Sequence, residues 1–217
     1  MRLRRTSLAL LAAALAASTL AHDAPQLLAG SFQARSGRLV ASLDLAPAFR
    51  TDLKKQLSNG LRNVIALNVA LLPEDGQDAL ALYVREIDVL YDVWDGSYGV
   101  TIKDSTNPRG RTHTFQRFEE LQAFLTEARA VDLVPLSELG ARRWILQTRV
   151  ELNPISKELL ERTREFIANP TAGGRSGIPS RSILGAMASY LLKSADSGAN
   201  VGVFRTRPFT ASELSRP

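Results

Sequence analysis

Apolar and polar positions alternate through the middle of the chain, between residues 78 and 103. Within this segment Asp95-Gly96 is a turn dipeptide, because Asp and Gly tolerate the positive φ angles of a two-residue hairpin turn. β-Branched and aromatic residues flank the dipeptide on both sides, which is typical of strands. The pattern therefore predicts a long central β-hairpin over about 78–103.

The register of this hairpin follows from its turn. The predicted cross-strand pairs are Trp94 with Ser97, Val93 with Tyr98, Tyr91 with Val100, Val89 with Ile102 and Asp88 with Lys103. The apolar positions are even-numbered up to Val84 and odd-numbered from Ile87. One extra residue near Arg85 or Glu86 would explain this change, so a β-bulge is expected there.

The remaining elements are predicted from the period of the apolar residues. Strands are expected at residues 27–32, 38–46, 64–72, 141–153 and 200–209, with Ser36-Gly37 as the turn between the first two. Helices are expected from Pro47 to Asn59-Gly60, at residues 118–130, from Asn153-Pro154 to Asn169-Pro170, and at residues 182–193. The strand at 64–72 is apolar enough to be buried on both faces. Residues 104–112 are rich in Asn, Pro and Gly, which predicts a loop with solvated Arg109 and Arg111.

These elements follow one another in an irregular order, and the clearest connection between strands is a hairpin. The expected fold is therefore an α+β domain, with a largely antiparallel β-sheet, the long central hairpin and three to four packed helices. A β-sandwich with helical connections is the alternative.

The N-terminal segment has the three parts of a secretory signal peptide. Three arginines precede an apolar run of about 14 residues, and small residues then lead to a cleavage point after Ala21. Residues 1–21 are therefore expected to be a signal peptide and residues 22–217 a single domain, which is periplasmic or secreted. An uncleaved membrane anchor is the alternative.

Charge and cysteine content limit the possible functions. The chain has 27 basic and 22 acidic residues, and removal of residues 1–21 would leave 24 basic residues and lower the net charge from +5 to +2. So small a net charge gives no reason to expect nucleic-acid binding. Because the sequence has no cysteine, disulfides and thiolate metal sites are excluded.

Four segments together resemble a known family. They are LKKQLSNGLRNVI (53–65), YDVWDGSYGV (91–100), ELNPISKELLERTREFIANP (151–170) and VFRTRPF (203–209). In this order they are similar to domain of unknown function family 4390, an uncharacterised family of exported bacterial proteins. The resemblance implies no activity. Because genes of that family lie near sensor histidine kinases in some bacteria, it implies an envelope or signalling protein as a possible partner.

The sequence contains two histidines, which are candidates for metal binding through nitrogen. Cleavage after Ala21 would make His22 the N-terminal residue, and its amine and imidazole together with His113 could bind copper through three nitrogens. The plainer interpretation is that His22 begins a tail and that His113 lies at the edge of a loop.

The acidic residues near the hairpin turn are a second candidate site. Asp88, Asp92 and Asp95 lie close together in the sequence, and paired carboxylates can catalyse hydrolysis. The turn also explains Asp95, and pairing with Lys103 explains Asp88, so a solvated sheet face is the simpler interpretation.

Arginines near the end of the chain are a third candidate. Arg205 and Arg207 would project from one side of the last strand. If that strand pairs beside the one that contains Arg143, the three guanidinium groups would form an anion-binding patch for a phosphorylated or acidic ligand.

The scarcity of catalytic groups favours an exported, non-catalytic interaction or accessory domain of the cell envelope, without a cofactor. The sequence has no Walker loop, no GxGxxG motif and no recognisable nucleophile elbow. A copper-binding or hydrolytic periplasmic enzyme is one alternative, and a carrier of a small acidic ligand or lipid is another. A carrier would need an internal cavity.

Overall fold

The computed structural model describes residues 25–49, 52–76, 78–154, 168 and 201–214, and 57% of these residues lie in β-strands. Two sheets form the fold of these residues. The strands of the large sheet are, in spatial order, β1 (Gln26–Leu27), β10 (Val201–Arg205), β9 (Arg143–Leu152), β4 (Asn63–Pro73), β5 (Ala81–Asp92), β6 (Ser97–Asp104) and β7 (Asn107–Phe115). An eighth strand of this sheet, β11 (Phe209–Thr210), pairs with β9. The small sheet contains β2 (Gly30–Arg35), β3 (Arg38–Asp44) and β8 (Glu127–Pro135) in that order. The α-helices whose bounds lie within these residues are α1 (Leu53–Leu57) and α2 (Phe118–Thr126).

The apolar core lies between the two sheets. Its residues alternate along the strands, and they include Ile65, Leu67, Val69 and Leu71 of β4, Tyr83, Ile87 and Val89 of β5, Val100 and Ile102 of β6, Leu39, Ala41 and Leu43 of β3, and Ala128 and Val131 of β8. Because successive side chains of a strand point to opposite faces, this spacing places one apolar row of each strand between the sheets. The arrangement is that of a β-sandwich.

The strand β4 is buried on its second face as well. Ala66, Asn68, Ala70 and Leu72, which alternate with the core residues, are also buried. Such two-sided burial requires a nearly continuous apolar run, and the sequence has one at 64–72. The prediction for this strand is therefore confirmed.

The predicted α+β class with three to four packed helices is wrong. Strands dominate the described residues, and of α1 and α2 only the second has seven or more residues. The alternative, a β-sandwich, fits the two sheets. Three segments of the sequence account for the error.

The first is the helix predicted at 118–130, which ends at Thr126. Leu121 and Leu125 are buried at helical spacing, but the chain then enters β8. Ala130 has a φ angle of 52°, and the register between β3 and β8 shifts at a bulge. Because a bulge interrupts the period of two, the sequence does not show the alternation that would reveal this strand.

The second is the loop predicted at 104–112, most of which belongs to β7. Within the described part of the chain β7 forms an edge of the large sheet. An edge strand tolerates Pro108, since no neighbouring strand needs the missing N–H group. Gly110, with a φ angle of 84°, adopts a conformation that favours glycine.

The third is the helix predicted from Pro47 to Asn59-Gly60. The chain forms a 3₁₀ turn at Ala46–Ala48 and then the short helix α1. Gly60 has a φ angle of 75°, so the predicted stop is confirmed. The turn at Ser36-Gly37 between β2 and β3 is also confirmed, since both residues have positive φ angles.

The central hairpin is confirmed, but its register is shifted by two residues. A four-residue turn at 93–96 replaces the predicted two-residue turn, and the observed pairs are Asp92 with Ser97, Tyr91 with Tyr98, Val89 with Val100, Asp88 with Thr101 and Ile87 with Ile102. Because side chains alternate with a period of two, this shift leaves each of them on its predicted face.

The bulge predicted near Arg85 or Glu86 is absent. β4 and β5 pair without interruption from Asn63 opposite Val89 to Leu71 opposite Ala81. Leu82 and Val84 of β5 are instead buried on the second face of the sheet, beside that face of β4. Two-sided burial, and not an extra residue, explains the change from even to odd positions.

The helices predicted between Asn153-Pro154 and Asn169-Pro170 and at 182–193 lie outside the described residues, except that Ala168 is helical. Among the described residues, no helix has the length and apolar character needed to cross a membrane.

A buried carboxylate closes the turn between β6 and β7. Asp104 Oδ1 accepts hydrogen bonds from the Thr106 amide (2.9 Å), the Thr106 hydroxyl (2.6 Å) and the Asn107 amide (2.8 Å), and its Oδ2 accepts one from the Tyr83 hydroxyl (3.1 Å). Burial by itself would raise the pKa of Asp104, but the hydrogen bonds from Thr106 and the charge of Arg85 outweigh burial and lower it. The carboxylate is therefore charged at neutral pH.

The Asp104→Asn variant should lower the free energy of unfolding by about 1–3 kcal/mol at pH 7, since its amide would meet the Tyr83 hydroxyl, a donor, with another donor. The pKa of Asp104 is lower in the folded than in the unfolded state, so its contribution is complete above the unfolded pKa and is lost as the pH falls through the folded pKa. Wild-type stability should therefore fall below about pH 4 more steeply than that of the variant. Urea unfolding at pH 7 and pH 3 measures both effects, with Asp78→Asn as an exposed control. Equal pH dependence in wild type and Asp104→Asn would contradict this role.

Candidate functional site

The turn of the central hairpin is fixed by one side chain. Asp92 Oδ1 accepts hydrogen bonds from the backbone amides of Trp94 (2.8 Å) and Asp95 (3.2 Å), and the backbone amide of Gly96 donates to the Asp92 carbonyl (2.9 Å). Gly96 has a φ angle of 66°, which favours glycine at this position. These contacts hold the four-residue turn in one conformation, and the Trp94 side chain extends from it into solvent.

Exposed apolar side chains collect at this end of the large sheet. Trp94 is 94% exposed, Leu61 67%, Val93 60% and Leu90 51%, and these are four of the five large apolar side chains exposed among the described residues. A methyl group on Gly60 would lie 3.3 Å from the Val93 side chain, so the segment that enters β4 touches the turn. We call Leu61, Leu90, Val93 and Trp94 the apolar tip.

The apolar tip stands on a well-packed base. The rings of Tyr91 and Tyr98 lie 4.7 Å apart, and the ring of Tyr98 lies 6.1 Å from that of Phe118 at the start of α2. The Tyr98 and Ser58 hydroxyl oxygens are 2.7 Å apart and share a hydrogen bond. These contacts join the hairpin to both helices, so the apolar tip is displayed from a rigid support.

Two of the three acidic residues near the turn have structural partners. The Arg62 guanidinium binds Asp88 at 2.7 Å, and Asp92 stabilises the turn. Asp88 lies opposite Thr101 and not opposite Lys103, because of the shifted register. The carboxylates of Asp88 and Asp92 are therefore already engaged, which does not favour a hydrolytic pair.

The three arginines of the predicted anion patch occupy separate positions. β10 does pair beside β9, and Arg205 lies opposite Gln147, whose Oε1 accepts a hydrogen bond from Arg205 Nε (2.8 Å). Arg143 begins β9, four residues or about 13 Å away along the strand, and it forms an ion pair with Glu74 (3.2 Å). Arg207 is exposed beyond the end of β10.

Of the two histidines in the copper hypothesis, His22 lies outside the described residues. His113 is exposed on β7, with its ring 5.5 Å from that of Phe124. Within the described part of the chain, no group of three His, Asp or Glu side chains could hold a metal ion. Copper binding therefore stays a prediction from the sequence.

No protein-family model matches the chain, and neither a curated protein nor a solved structure matches it. The resemblance to domain of unknown function family 4390 therefore stays a prediction.

The two-residue turn predicted from the sequence places Trp94 in a strand opposite Ser97, so that prediction does not single it out as a surface residue. Its position directly before Asp95-Gly96 was the available signal. A four-residue turn that begins after Asp92 lifts Val93 and Trp94 out of the ladder together, and Asp92 is a residue that often starts such turns.

The two tryptophans of the chain should differ strongly in solvent access. Trp144 is 5% exposed, and its Nε1 donates to the Leu139 carbonyl (2.9 Å), whereas Trp94 is almost fully exposed. Acrylamide should therefore quench the fluorescence of the Trp144→Phe variant, in which Trp94 remains, several-fold more strongly than that of the Trp94→Phe variant. Equal quenching of the two variants would contradict the exposed position of Trp94.

Proposed function

We propose that this chain is an exported, non-catalytic interaction domain of the cell envelope, and that its apolar tip inserts into an apolar groove of a partner protein. The observation that carries the proposal is the almost complete exposure of Trp94 on a turn that hydrogen bonds hold rigid. Exposed apolar clusters of this kind mark interaction surfaces.

The energetics of Trp94 support binding over a structural role. A tryptophan side chain that becomes buried removes about 150–250 Å² from water, and at about 25 cal/mol per Å² this is worth several kcal/mol. None of that energy stabilises the fold, because the side chain is 94% exposed. A rigid turn also reduces the entropy lost on binding. Tryptophan is accordingly enriched among the residues that dominate protein interfaces.

The charges around the apolar tip indicate the type of partner. Asp92 and Asp95 are exposed beside Trp94, and Arg62, the residue after Leu61, is paired with Asp88. An acidic rim of this kind would be repelled by an anionic membrane surface and attracted to basic side chains. We therefore assign the apolar tip to a protein partner whose groove has a basic rim.

The sequence of residues 1–21 supports export, since it combines basic, apolar and small residues in the order of a signal peptide. N-terminal sequencing of the protein purified from its own cells should then begin at His22. A protein that begins at Met1 and sediments with membranes would indicate the anchored alternative, and an unprocessed soluble protein would contradict export.

The partner should be lost when the apolar tip becomes polar. We expect in-cell crosslinking of the tagged protein, followed by mass spectrometry, to recover one dominant partner with the wild type and to lose it with Trp94→Ser/Val93→Ser. Purified partner should bind that variant with about 30-fold or greater loss of affinity, since such anchor residues contribute about 2 kcal/mol or more. Stability should change by less than about 0.5 kcal/mol, because the substituted side chains are exposed.

Two controls separate the apolar tip from other surfaces. Leu27→Ser removes an exposed apolar side chain from β1, at the opposite edge of the large sheet, and should retain the partner. Arg205→Glu/Arg207→Glu tests the arginine-bearing strand. Loss of the partner in that variant alone would place the interface on the last strand, and recovery of no partner from the wild type would contradict the interaction domain itself.

A further inference from the structure

A second surface lies at the far end of the hairpin from the apolar tip. Residues of β5, β6, β7, α2 and β8 line a half-open cleft of about 440 Å³ here. We call it the arginine cleft. Its charged and aromatic lining residues are Arg85, Arg111, His113, Phe124, Glu127 and Arg129. Its volume lies in the range of small-molecule sites, about 300–1,000 Å³.

The topology brings these residues together from both sheets. Arg85 lies on β5 opposite Asp104, Arg111 lies on β7 opposite Ile102, and Arg129 comes from β8 of the small sheet. Arg111 and Ile102 are a cross-strand pair, and Ile102 belongs to the core, so Arg111 projects toward the inner side of the sheet at its edge. The cleft is therefore an extension of the space between the sheets.

Positive charge exceeds negative charge in the arginine cleft. Arg85 and Arg111 both lie near Asp104, at 3.9 and 3.8 Å, so two guanidinium groups share one carboxylate. Arg129 is paired with Glu127, and that pair is close to neutral. Burial raises the pKa of Tyr83, which therefore stays a neutral hydroxyl and adds no negative charge.

Arg85 is the least exposed of these cations, at 14% of its side chain. Its Nε donates to the Tyr83 hydroxyl (2.8 Å), which donates in turn to Asp104 (3.1 Å). Its two terminal nitrogens make no hydrogen bond to the described residues. A guanidinium group with free donors in a half-buried cleft is preorganised for an oxyanion, because its planar fork matches carboxylate and phosphate geometry.

Part of the lining of the cleft is aromatic. The Phe124 ring lies 5.5 Å from that of His113 and 5.2 Å from that of Phe115, so the three rings form one continuous surface. Such a surface binds the apolar part of a ligand, while the guanidinium groups bind its charge.

We propose that the arginine cleft binds a small molecule in which a phosphate or carboxylate group is attached to an aromatic or aliphatic body. Arg85 and Arg111 bind the oxyanion, and Phe124 with His113 packs against the body. The site is independent of the apolar tip, because Asp104 lies seven residues, or about 23 Å, along β6 from Ser97 at the hairpin turn.

Isothermal titration calorimetry of the processed protein with phenyl phosphate, inorganic phosphate and benzyl alcohol tests the assignment. Phenyl phosphate should bind at least about tenfold more tightly than inorganic phosphate, because only it offers a body to the aromatic lining, and benzyl alcohol should not bind measurably. The Arg85→Gln and Arg111→Glu variants should each weaken phenyl phosphate binding about tenfold or more. Higher ionic strength should weaken it as well.

Arg109→Glu is the matched control, since Arg109 is exposed on the same strand but does not line the cleft. It should keep wild-type affinity within about twofold. Circular dichroism melts verify that each variant is folded, and the mostly exposed Arg111 makes its variant the safer of the two. Absence of phenyl phosphate binding at millimolar concentration would overturn the proposal. Equal affinity for phenyl and inorganic phosphate, or equal losses in Arg109→Glu and Arg111→Glu, would also overturn it.

Discussion

Burial of β4 on both faces is the constraint on which the rest of the large sheet depends. A strand without access to water must satisfy its backbone through its neighbours, and β5 and β9 do so with uninterrupted registers along both edges. Those registers carry β5 into the same two-sided burial near Leu82 and Val84. Beyond Val89, the last residue of β5 that pairs with β4, the strand is no longer buried on its second face, and Leu90 is exposed. The end of the hairpin therefore projects beyond the packed region, and the apolar tip is found there.

Local signals in the sequence predict much of this sheet, because the spacing of apolar residues and the residue types found in turns each depend on only a few neighbouring residues. Ser36-Gly37 and Asn59-Gly60 ended their elements as expected, and the run at 64–72 predicted the doubly buried strand. The hairpin register was wrong by two residues because Asp95-Gly96 suits a short turn, whereas Asp92 favours a longer one. The face of each side chain survived this error, since a shift by an even number does not exchange faces.

The remaining features depend on contacts between distant segments. The bulge at Ala130 is stabilised by pairing with β3, almost 90 residues away in sequence, and β7 accepts Pro108 only because of its edge position. The arginine cleft shows the same limit. Arg85, Arg111 and Arg129 share no motif or spacing, and they meet because one edge of the large sheet faces β8. No local pattern could have distinguished Arg111 from an ordinary solvated arginine.

The two proposed surfaces are also the places where the sequence departs from what the fold alone would favour. A polar residue at position 94 would satisfy the turn equally well, since the Asp92 carboxylate bonds only to backbone amides there. Likewise, a second guanidinium beside Asp104 adds repulsion with that of Arg85. The carboxylate does not need it, since Thr106, Asn107 and Tyr83 already donate hydrogen bonds to it. Residues that do not stabilise the fold are typical of functional sites, where they bind a ligand or a partner instead. The exposed tryptophan and the excess cation therefore indicate binding more directly than any motif in the chain does.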